Sequence, residues 1–117
     1  MTERDSPRME FLQGTLDVLI LRTLRNTRAH GHAIAKQISE SSEGVLGVET
    51  GSLYPALHRL EAKGWVAASW DLSDKGKRAR YYRLTALGRK HLGAEQSRWE
   101  KFSRAMGLVL NATRKEA

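Results

Sequence analysis

The sequence predicts a mainly α fold with a small β-hairpin, organised as a winged helix-turn-helix plus a long C-terminal dimerisation helix. Three observations lead there. Leucines recur at helical spacing through residues 11–26 and again at Leu53, Leu57 and Leu60. The periodicity then changes to that of strands in two aromatic-rich runs, 65–70 and 79–84, separated by a turn-forming basic loop. From about residue 86 to 110 one amphipathic pattern continues without a break. Residues 11–84 are therefore expected to form the winged-helix part and residues 85–110 the dimerisation helix, within a single unit of 117 residues.

The first helix is expected from Phe11 to Asn26, with Gly14 or Thr15 near its start. Leu12, Leu16, Leu19, Ile20 and Leu24 mark a core face, while Phe11, Val18 and Leu21 point away from it. A helix apolar on two sides needs two surfaces to pack on, and the second is expected to be another copy of the chain. A polar break at Asn26–His30 leads to a shorter helix, Gly31–Glu40, on which Ile34 and Ile38 sit one turn apart. Ser41-Ser42-Glu43-Gly44 ends it, and Val45–Glu49 could hold a very short strand. The next helix has both ends marked, by Thr50 or Ser52 as a cap and by Gly64 as a stop. Pro55 lacks a backbone donor, which favours a start near Ser52 that would leave it within the first turn. With its leucines inward, Pro55, His58, Arg59 and Ala62 lie opposite, flanked by Ser52 and Tyr54. In the hairpin, strand alternation puts Tyr82 and Leu84 on the core face and Tyr81 and Arg83 outside. Thr85 is positioned to cap the last helix, Ala86–Leu110. There Leu92, Trp99, Met106 and Leu110 form one stripe with Phe102 and Val109 beside it. At 1.5 Å per residue this helix spans about 37 Å, more than a domain of this size can cover.

The chain carries 20 Lys and Arg against 13 Asp and Glu, a formal net charge of +7, which favours a polyanionic partner. The excess is concentrated: between Asp74 and Lys90 there are seven basic residues (75, 77, 78, 80, 83, 89 and 90) and Asp74 is the one acid. No cysteine excludes disulfides and thiolate metal sites and points to the cytoplasm, as does a charged start with no apolar core. The longest strongly apolar run, Val18–Leu21, is far short of the roughly 20 residues of a membrane span. Gly44, Gly47 and Gly51 do not have the spacing of a phosphate loop. His30 and His32 are two apart and cannot share a helical face as metal ligands. His58 has no assignable nucleophile and carboxylate around it, and Ser73-Asp74-Lys75 is a loop composition. No catalytic site, metal or cofactor is expected.

Double-stranded DNA is the expected partner, since an outward helix face of hydroxyls, His and Arg suits a major groove and a basic hairpin behind it suits phosphates or a minor groove. The candidate contacts are Ser52, Tyr54, Pro55, His58, Arg59 and Lys63 on the third helix and His32 and Lys36 on the second. Lys75, Lys77, Arg78 and Arg80 are expected on phosphates. Phe11, Val18, Leu21, Leu92, Trp99, Phe102, Met106 and Leu110 are the candidate dimerisation residues. Trp99, with Phe11 and Phe102 as apolar wall, is the candidate platform for a planar aromatic ligand between two subunits. The alternative is a winged-helix module that binds protein and no specific DNA.

Four stretches carry a resemblance: Leu12-Gln13-Gly14-Thr15-Leu16, Gly31-His32-Ala33-Ile34-Ala35, the run from Gly51 through Leu53-Tyr54-Pro55-Ala56-Leu57 to Glu61, and Arg80-Tyr81-Tyr82-Arg83-Leu84-Thr85 followed by Gly88-Arg89. Over roughly residues 11–110 the chain resembles the PadR family of bacterial transcriptional regulators, in its short subgroup with a single C-terminal helix. The resemblance implies repression at palindromic operators by a homodimer, often relieved by aromatic or phenolic effectors. One residue departs from the pattern. His32 stands where many members have a tyrosine that touches the DNA backbone.

Overall fold

The computed structural model describes residues 14–112. The order of elements is α1 (14–23), β1 (Ala29–His30), α2 (Gly31–Ser41), α3 (Thr50–Ala62), β2 (Val66–Leu72), β3 (Arg78–Leu84) and α4 (Ala86–Leu110). Ile20 and Leu21 of α1 and Leu24 just after it meet Ile34 and Ile38 of α2, the α3 leucines, Val66, Tyr82 and Leu92 in one buried cluster. Leu16 and Leu19 pack against its edge.

Leu21 departs from expectation. It is fully buried in this core and does not point away from it. The buried stripe of α1 and its last turn is centred on Ile20, Leu21 and Leu24, with Leu24 three and four residues beyond the other two, so Leu21 belongs to the inner face and Val18 lies half-buried at its side.

The short strand also lies elsewhere than expected. Residues 45–49 form none, whereas Ala29 and His30 pair antiparallel with Tyr82 and Tyr81, giving a three-stranded sheet of order β1-β3-β2. Beside β3, the backbone groups of Ala29 and His30 find the ladder partners that residues 45–49 do not have. His30 then serves α2 as its N-cap, its Nδ1 accepting from the Ala33 N–H at 3.1 Å. At the other end of α2, Glu43 takes a positive φ of 56° and Gly44 one of 82°. The Gly44 N–H donates to the Ser39 carbonyl at 2.7 Å, closing the helix.

Helix α3 starts earlier than the proline suggested. Glu49 is its N-cap, without a side-chain cap bond, and Pro55 is the sixth helical residue, in the second turn. Pro55 and Gly51 are both exposed, so solvent can take the Gly51 carbonyl that would otherwise bond to residue 55. Gly64, with φ 77°, stops the helix as expected. The Trp65 and Gly64 N–H groups donate to the carbonyls of Leu60 at 3.0 Å and Glu61 at 2.9 Å, the Schellman pattern.

In the hairpin, Val66 pairs with Leu84 and the ladder runs out to Leu72 opposite Arg78. The turn spans residues 73–77 with Gly76 at φ 75°, and the Ser73 N–H donates to the Lys77 carbonyl at 2.7 Å. Tyr82 and Leu84 are buried and Arg83 is exposed, as alternation requires. Thr85 caps α4 through its hydroxyl, which accepts from the Gly88 N–H at 2.9 Å and donates to the Gly64 carbonyl at 2.7 Å. One residue thus joins the hairpin, the end of α3 and the start of α4. Leu92 is buried in the chain's own core, a second correction to the expected dimerisation stripe. It lies two turns into α4, where the helix still covers the sheet.

Candidate nucleic-acid interface

Burial of Leu53, Ala56, Leu57 and Leu60 fixes which way α3 faces. Gly51, Ser52, Pro55, His58 and Ala62 are left exposed on its outer side. Tyr54 lies at the flank, just over a third exposed, with the end of its ring against Gly31 at the start of α2. Any side chain at Gly31 would displace that ring. His32 and Lys36 project from α2 into solvent, opposite the buried Ile34 and Ile38. The arrangement is two helices meeting across a turn, the second with its polar face open.

Two of the expected contacts are held within the domain. Arg59 reaches back to α1, where its guanidinium donates to Asp17 at 2.8 Å. Burial raises the Asp17 carboxyl above its ordinary value, and Arg59 pulls in the opposite direction with less effect. Arg80 shares its sheet face with Tyr82 and Leu84 and donates to Glu61 of α3 at 2.7 Å. It ties the hairpin to α3 instead of standing free on the wing. Lys63, at the C-terminal end of α3, holds its Nζ 4.6 Å from the Trp65 ring centre, and that indole stacks on His91 of α4 at 4.2 Å.

The free cationic end of the wing consists of Lys75, Lys77 and Arg78, all exposed. Behind it two aromatic rings carry arginines. Arg28 lies 4.3 Å over Tyr81 and donates to Asp71 at 2.8 Å, joining the segment before β1 to the outer part of the wing. That hydrogen bond holds the exposed Asp71 carboxyl below its ordinary value. On the other face, Arg78 and Arg80 lie 4.8 and 5.8 Å from the centre of the Trp70 ring. Neither Trp70 nor the carboxylates Asp17, Glu61 and Asp71, whose arginine partners are distant in sequence, stand out in the sequence. Alternation alone carried a signal, since residue 80 has the parity of Tyr82.

On α4, Trp99 and Phe102 are in ring contact at 5.7 Å and Met106 and Leu110 are exposed. Phe11 lies outside the described residues. Two open clefts, of about 780 and 330 Å³, border α1, and neither is lined by Trp99 or Phe102. Among the described residues no group of three or more His, Asp or Glu could hold a metal ion. No helix among them is long and apolar enough to cross a membrane.

Known proteins share this architecture. The profile described as the transcriptional regulator PadR-like family matches residues 20–94. A transcriptional regulator of Mycobacterium tuberculosis is 32% identical over 95 residues, covering 81% of this chain and 85% of that protein. The crystal structure of a PadR family transcriptional regulator from Eggerthella lenta superposes with a TM-score of 0.72 at 30% identity, over 96% of each chain. A PadR family regulator from Clostridium difficile does so with a TM-score of 0.69 at 32% identity, over 81% of this chain and 97% of the other.

Proposed function

The chain belongs to the PadR-like family of transcriptional regulators, and from that membership we propose that it acts as a homodimeric repressor on a palindromic operator. The observation that carries this reading is the open outer face of α3, with Ser52 and His58 exposed, on the same molecule as the exposed Lys75, Lys77 and Arg78 of the wing. In it, α3 enters the major groove, where Ser52, Tyr54, Pro55 and His58 meet base edges or backbone, while the wing cations and Lys36 neutralise phosphates. Arg59 and Arg80 position α3 through Asp17 and Glu61, and His32 replaces a backbone contact of its relatives. Two chains pair through α4 and α1, with Trp99, Phe102, Met106, Leu110 and Val18 at the seam. A flat aromatic effector between the subunits, stacked on Trp99, would release DNA only by favouring one spacing of the two α3 helices, since a ligand without differential affinity shifts nothing.

Binding to the DNA upstream of the chain's own gene, followed against salt, tests the assignment of roles. Lys77→Ala should weaken binding to operator and random DNA alike and flatten the salt slope by about one. His58→Ala should chiefly reduce the preference for operator. An unchanged slope in Lys77→Ala would remove the wing from the interface.

A further inference from the structure

The inner face of the wing holds apolar surface that the core does not use. Paired residues of the hairpin share a face, so Val66 with Leu84, Ala68 with Tyr82, Trp70 with Arg80 and Leu72 with Arg78 all lie on one side. The first two pairs are packed in or on the core. The last two run past it, and Trp70 is 54% exposed and Leu72 63%. The Arg80–Glu61 ion pair shows that this side faces α3. An indole and a leucine therefore stand exposed on the α3 side of the wing, among Lys75, Lys77, Arg78 and Arg80.

Exposed apolar side chains of this size ask for a partner, and the surrounding charge selects its kind. With Arg80 already matched by Glu61, a protein surface would have to match Lys75, Lys77 and Arg78 with acids around an apolar centre. A duplex offers phosphates on both rims of its minor groove, sugar walls between them and base steps whose apolar faces a wedge can meet. Apolar wedges in minor-groove proteins use that combination, inserting against or between base steps while basic residues hold the rims.

We infer that Trp70 and Leu72 form an apolar wedge of the wing that enters the minor groove of DNA, with Arg78 held beside the indole as its phosphate contact. This rests on the reading of the chain as a DNA-binding regulator and adds to it the residues by which the wing grips. The cation–π contact keeps the Arg78 guanidinium over the ring before DNA arrives, so its side chain is already partly ordered.

The test uses the variant Trp65→Phe/Trp99→Phe, in which Trp70 is the one indole, and poly(dA-dT) duplex at low salt. Anisotropy of a labelled duplex reports binding, and Trp70 emission reports the wedge. The expected result is quenching on binding that is lost when netropsin already fills the minor groove. In the otherwise native chain, Trp70→Ala should weaken binding on the order of tenfold, as loss of an aromatic stacking contact does, with an unchanged salt slope because no phosphate contact is removed. Duplex binding with unaltered Trp70 emission, quenching that survives netropsin, or Trp70→Ala with native affinity would each overturn the wedge while leaving DNA binding standing. Absence of any binding by the wild-type chain would overturn the DNA-binding reading itself and the wedge with it.

Discussion

Arg59 and Arg80 carry the same charge as the wing lysines, yet each is held by a carboxylate of its own domain, at 2.8 Å on Asp17 and 2.7 Å on Glu61. A helical wheel gives the direction of a Cα–Cβ bond and says little about where a long guanidinium side chain ends. The partner of Arg59 is 42 residues away, so the pair was invisible to any local pattern. The cost of Asp17 can be read from its titration. Burial raises its pKa above 3.8 despite Arg59, so the folded chain holds that proton more tightly than the unfolded chain does. The stability it contributes is then complete below about pH 3.8 and falls as pH rises through the raised value. Asp17→Asn keeps an acceptor for Arg59 and abolishes the titration. Thermal unfolding should find this variant within about 1 kcal/mol of wild type near neutral pH, since Arg59 is partly hydrated, and comparatively less stable in acid. A large loss near neutral pH that shrinks in acid would mean that the ion pair stabilises the fold more than burial penalises it.

At the level of elements, the strongest patterns translated directly. The hairpin with Tyr82 and Leu84 inward, the Thr85 cap, the Gly64 stop and the full extent Ala86–Leu110 all follow from alternation, capping chemistry and periodicity. What local patterns missed depends on neighbours. β1 is two residues long and exists because β3 is beside it. Leu21 and Leu92 were assigned to an outer seam because apolar residues at helical spacing do not say which apolar surface they meet, and both proved to be core. The exposed wedge was half legible, since alternation sets Trp70 on the side of Tyr82, but nothing local says that the core ends before it. The join between α4 and the hairpin is also a product of contact. A methyl group at Gly88 would drive into the Trp65 carbonyl and the Leu84 side chain. Gly88→Ala should therefore cost about 1–3 kcal/mol in a denaturant titration, as overpacking against backbone does, and should tilt α4 on the winged helix. A variant as stable as wild type would mean that α4 is not seated there.

For the whole molecule, the net charge of +7 favours a polyanionic partner, and the basic excess is concentrated between Asp74 and Lys90. The structure leaves Lys75, Lys77 and Arg78 of the wing exposed, and with them the outer face of α3. One chain presents one such face. Recognition of a palindrome needs two, related by a twofold axis and set one helical turn apart. The measurement that bears most directly on this is a hydroxyl-radical footprint on the DNA upstream of the chain's own gene, at a protein concentration where light scattering gives its mass. The account predicts two symmetric protected patches centred about 10 base pairs apart, made by two chains, with the pattern fading as salt is raised. A single asymmetric patch, or uniform protection with no preferred position, would contradict it.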